Sequence, residues 1–146
     1  MSIDKDDIFY VCSLVEFTAR KTKNHRSVIV QAMQEKGIKH YLEHADVNHC
    51  LSFEQVSDEM IDQYSIPTGS FDTVAECKYK VPAVNAIGKV YRNLVIEESK
   101  KMSVTKAIFY VFSSFLSDAI SNFNSDVYYQ NSSYLQACYN NGALLD

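Results

Sequence analysis

His40, His44, Asp46, His49 and Cys50 fall within the stretch HYLEHADVNHC, residues 40–50, which holds three of the chain's four histidines. Imidazole, carboxylate and thiolate are the usual ligands of zinc. Histidines four apart on a helix share one face, as helix-borne metal pairs require, and His40 and His44 have that spacing. A third ligand could come from Asp46, His49 or Cys50, and a metal-dependent hydrolase would be built on His40, His44 and His49. The residues between the first pair are Tyr41, Leu42 and Glu43, however, so the HExxH arrangement that supplies a general base beside its metal is missing. The simpler account assigns Tyr41, Leu42 and Ala45 to a buried helical stripe. It leaves the histidines near a helix C-terminus, where a cationic imidazole suits the dipole. The sequence is therefore read as holding no metal, with His40, His44 and His49 as the alternative ligand set.

No other stretch carries catalytic chemistry. There is no GxSxG elbow, no GxxxxGK[ST] phosphate loop and no GxGxxG fingerprint, and only 4 glycines are present. A chain so poor in glycine has little backbone suited to cradling phosphates. The expectation is a protein that is not an enzyme and uses no cofactor.

Two other groups of residues suggest binding. RKTKNHR, residues 20–26, is the one dense basic run, and Arg20, Lys21, Lys23, His25 and Arg26 would be the phosphate contacts of a small nucleic-acid-binding regulator. The chain has 14 Lys and Arg against 18 Asp and Glu, a net charge of −4, which argues against a protein devoted to coating phosphate backbones. Tyr128, Tyr129, Tyr134 and Tyr139 lie among Asn, Gln and Ser, a mixture that supplies rigid amphipathic anchors at recognition surfaces. They are the expected partner-binding residues.

The elements that must position these groups read as helices. Apolar residues from Ile8 to Phe17 recur at helical spacing after Asp4, Asp6 and Asp7, giving a first helix of roughly residues 5–22. Asn24 is placed to cap a second helix that Gly37 ends, and Ile38, Tyr41, Leu42 and Ala45 form a short third stripe. Ser52-Phe53-Glu54-Gln55 is a capping box at the start of a fourth. Ile66-Pro67-Thr68-Gly69-Ser70 carries turn chemistry and divides one domain, residues 1–146, into candidate subdomains 1–66 and 71–146. Residues 71–82 fit a short helix and a short edge strand equally. Pro82 suits the first turn of a helix through Ile87, Tyr91 and Leu94, and Ser103 caps a strongly apolar helix reaching Ala119. A last helix spans about Ser132 to Tyr139, ended by Asn140, Asn141 and Gly142. The fold class is an all-α compact bundle of six or seven helices, in one lobe or two, with an irregular or short-strand segment near 71–82.

Cys12, Cys50, Cys77 and Cys138 form no CxxC pair and read as free thiols in a reducing compartment. The start MSIDKDDIFY lacks the basic, then apolar, plan of a secretory signal, and Ala107 to Leu116 is too short to span a bilayer. A cytoplasmic protein with no membrane partner is expected.

Three segments, IFYVCSLVEFTARKTKN, KGIKHYLEHADVNHC and SFEQVSDEMIDQY, combine an aromatic and apolar first helix, a helix ended by Gly37, an apolar-Tyr-Leu step and a histidine at 49. In this pattern residues 8–64 resemble a family of small helical bacterial proteins encoded beside ADP-ribosyltransferase-like toxins. The resemblance implies a partner-binding role, as the antitoxin or accessory component of a toxin–antitoxin or defence system. It implies no catalytic residue.

Overall fold

A computed structural model describes residues 4–146. Helix α1, Lys5–Thr22, begins at a capping box made of two aspartates: Asp7 N–H donates to Asp4 Oδ1 (2.9 Å) and Asp4 N–H to Asp7 Oδ2 (3.2 Å). It ends at Lys23, which takes the left-handed conformation (φ 58°) and returns its amide to the last turn. Helix α2, Arg26–Glu43, follows directly, then the single turn α3, Ala45–Asn48, and α4, Phe53–Tyr64. The box expected at Ser52 and Gln55 is present, with Gln55 N–H donating to Ser52 Oγ at 3.1 Å.

Two helix signals act differently from expectation. Gly37 does not end a helix: it is buried inside α2, where an added Cβ would lie 2.9 Å from Tyr64 Cζ, so its lack of a side chain admits the ring of α4. The break falls instead at Gln34, whose φ of 59° and ψ of 175° interrupt the helix. Asn24 does not cap α2 either. Its Nδ2 donates to Thr22 Oγ1 (2.9 Å) and to Pro67 O (2.7 Å), and His25 stands at the cap with no side-chain bond. Asn24 thus ties the corner between α1 and α2 to the Pro67 turn. Gly69 lies against the same corner: its amide donates to Thr22 O, and a Cβ there would meet Asn24 Oδ1 at 2.3 Å.

Residues 71–82 contain the short helix α5, Thr73–Glu76, capped by Asp72, and no strand occurs among the described residues. Pro82 precedes α6, Val84–Glu98, rather than entering its first turn. The apolar helix capped by Ser103 is two: α7, Val104–Ser113, and α8, Phe115–Ser121. Ser114 separates them, since its hydroxyl donates to Val111 O (2.7 Å) and offers the backbone an alternative to continued helix. A 3-10 turn at Val127–Tyr129 leads to α9, Ser132–Asn141, which Gly142 caps at φ 80°.

The bundle is all-α, with seven helices of seven or more residues among the described residues. Helix α1 lies at its centre, packed chiefly on α6 and α2, while α2 packs on α7. Leu14, Val15, Ile29, Leu94, Val111 and Phe112 are fully or almost fully buried in one continuous core. No described helix is long and apolar enough to cross a membrane.

Candidate partner-binding cleft

Tyr41, Leu42 and Ala45 are buried, as their helical spacing requires. His40 and His44 lie one turn apart with ring centroids 4.3 Å apart, but the Nδ1 of His44 is bonded to the His40 carbonyl oxygen (2.7 Å). His49 lies beyond α3. Among the described residues no three His, Cys, Asp or Glu side chains converge as a metal site.

What the end of this stretch does build is one wall of a cleft of about 560 Å³. Asp46 and His49 come from α3 and its C-cap, and Leu51 and Phe53 from the entry to α4. The rest of the lining is Asp4, Asp6, Asp7, Phe9 and Tyr10 from the first turns of α1 and Asn85 of α6. Phe53 belongs to an aromatic group, its ring centroid 5.6 Å from those of both Tyr10 and Phe17. Leu51 is 45% exposed and the neighbouring Val47 64%. Both present apolar surface that the fold does not cover.

The electrostatics of the cleft are one-sided. Four carboxylates line it, no lysine or arginine does, and among the described residues none of the four forms an ion pair. Asp7 records the consequence. Burial raises its pKa above the ordinary carboxylate value, and repulsion from Asp4 and Asp46 adds to the rise. Tyr10, whose hydroxyl is buried with no hydrogen-bond partner among the described residues, is pushed up to about 12 by burial and by the charge of Glu59.

The basic corner is the opposite case. Arg26 is wholly buried, and its Nε and Nη2 donate to the two oxygens of Glu16 at 2.8 and 2.6 Å. Arg20 adds a third bond to Glu16 at 2.7 Å and lies 4.9 Å from the Phe123 ring centroid. Lys21 bridges Glu54 and Asp58. His25 pairs with Asp118 at 2.8 Å and stacks on Phe71. Of the five residues, only Lys23 is exposed with no such partner among the described residues. The run RKTKNHR is therefore largely an internal ion network and not a basic face.

The four tyrosines do not form one exposed surface. Tyr129 is 66% exposed, whereas Tyr128 is half-buried edge-on to Phe123. The Tyr134 hydroxyl donates to Leu145 O (2.6 Å), and Tyr139 is half-buried.

The cleft residues Asp6, Phe9 and Phe53 are not legible in the sequence because each has an ordinary role: dipole compensation for the acid, core stripe for the aromatics. The usable signal was Leu51, an apolar residue outside any helical stripe. Compared with known protein families, curated proteins and solved structures, the chain matches none of them.

Proposed function

We propose that the protein is a non-enzymatic interaction module that docks a basic segment of a partner protein, carrying an apolar anchor, in the cleft at the start of α1. One observation carries the reading: four carboxylates surround an apolar floor, and no lysine or arginine in the wall neutralises them. A cationic partner would offset the repulsion from Asp4 and Asp46 that adds to the burial-driven rise of the Asp7 pKa, and charge complementarity of this kind speeds encounter and fixes orientation. The floor of Phe9, Phe53 and Leu51 would contribute the hydrophobic part. A nucleic-acid role at Arg20, Lys21, Lys23, His25 and Arg26 has less behind it, because two of those cations are bound to buried Glu16.

The most specific form of the proposal is the antitoxin or accessory role in a bacterial toxin–antitoxin or defence system, which rests on the resemblance of residues 8–64. A neighbouring gene encoding a toxin, whose product co-purifies with this protein, would support it. The cleft itself is tested by nuclear magnetic resonance, titrating a short peptide with lysines on either side of one aromatic residue. Saturable shifts should concentrate at Asp6, Phe9, Asp46, Leu51 and Phe53. Shifts scattered over the surface, or concentrated at Tyr129, would place the binding site elsewhere.

A further inference from the structure

Resting on that reading of the cleft, we infer that its occupant is the Lys78-Tyr79-Lys80 loop of a second copy of this chain. Tyr79 is 71% exposed, the most exposed large apolar side chain among the described residues, and it stands between two exposed lysines. Neither lysine forms an ion pair among the described residues. An unburied ring flanked by unpaired cations is the complement of an apolar floor flanked by unpaired carboxylates. The tyrosyl ring enters against Phe9 and Phe53, and Lys78 and Lys80 meet the cleft aspartates.

The loop is held ready for this. Asn124 clamps its base from both sides, accepting from Lys78 N–H (2.7 Å) and donating to Glu76 O (3.0 Å), and the Cys77 thiol donates to Tyr79 O (3.3 Å). A prearranged loop loses less conformational freedom on docking. Cys77 and Val81, on either side of the lysines, pack against the core. The two patches are close on one protomer: four residues separate Lys80 from Asn85 in the cleft lining, a span of at most about 18 Å of extended chain. Patches so near can exchange reciprocally across a two-fold axis, which closes a dimer and leaves no open chain of copies.

Charge reversal tests this on the full chain by sedimentation. Asp6 and Asp46 are exposed and outside the Asp4–Asp7 capping box, so their replacement spares the fold, as circular dichroism would confirm. The wild type should dimerise, with an affinity that falls as salt rises. The double variants Lys78→Glu/Lys80→Glu and Asp6→Lys/Asp46→Lys should each dissociate at least about tenfold more readily. Mixed one to one, they should dimerise again, because each then offers the other a complementary loop and cleft. Tyr79→Ser should weaken the dimer without abolishing its salt dependence. A wild type that stays monomeric at about 100 μM, or a dimer indifferent to both reversals, overturns the inference. If the chain is monomeric yet the lysine–aromatic peptide binds the cleft, self-docking is wrong and the partner reading stands; if the peptide fails too, both fall.

Discussion

The two ends of α1 treat negative charge in opposite ways. Near its C-terminal end Glu16 is fully buried, and the chain supplies two arginines that take three hydrogen bonds to its carboxylate. Burial alone would push its pKa up, but the bonds and charge of Arg26, and then of Arg20, hold it below the ordinary value. At the N-terminal end Asp4, Asp6 and Asp7 line the cleft together with Asp46, with no lysine or arginine in the wall, and Asp7 is shifted upward. A group whose charge is completed inside the molecule is structural. A group whose charge is left incomplete over apolar surface is where an outside cation gains most, and that asymmetry distinguishes the cleft from the rest of this acidic protein.

The largest expected effect breaks the completed end. Glu16→Gln leaves Arg26 buried without its counter-charge and should cost about 3 to 5 kcal/mol in urea unfolding. A loss below about 1 kcal/mol would mean that the network contributes little beyond packing.

Acid gives a second, smaller contrast between the ends. The folded pKa of Glu16 is depressed, so its stabilisation is complete above the unfolded value of about 4.3 and is lost as pH falls through the folded one. The gap in Tm between wild type and Glu16→Gln should therefore narrow below about pH 4. Asp7 has the opposite sign. Its folded pKa is raised, so its ionised form is a cost at neutral pH that protonation removes. A gap that stays constant down to the lowest pH at which the protein folds would contradict the assignment to Glu16.

The smallest effect sharpens the incomplete end. Asp46→Asn removes repulsion on Asp7 and should raise Tm by about 1 °C or less, in scanning fluorimetry at low salt, with the gain fading as salt screens the charges. A fall in Tm would show that Asp46 has a favourable partner.

Much of the bundle is legible in local chemistry. The α1 start, the Ser52 box and the Ser103 cap follow from residues whose side chains bond amides within one turn, and the Gly142 terminus from a glycine free to take the left-handed conformation. Signals that depend on a distant neighbour misled. Gly37 looks like a terminator until Tyr64 is packed on it, and Asn24 looks like a cap until Pro67 lies within reach of its amide. Ser114 breaks an apolar run through a bond of its own hydroxyl that periodicity does not register. The site was less legible for the same reason. Arg26 reads as surface charge because its partner Glu16 lies ten residues earlier, and the cleft unites residues from α1, α3, α4 and α6. Of the histidine stretch, only Ala45, Asp46 and His49 belong to that cleft.

The most direct test compares, by calorimetry, the affinity of one peptide with lysines flanking an aromatic residue for the wild type and for Asp6→Lys/Asp46→Lys. Saturable, salt-sensitive binding to the wild type, weakened at least about tenfold in the variant, is the result this account requires. Equal affinity for both proteins, or none for the wild type, would contradict it.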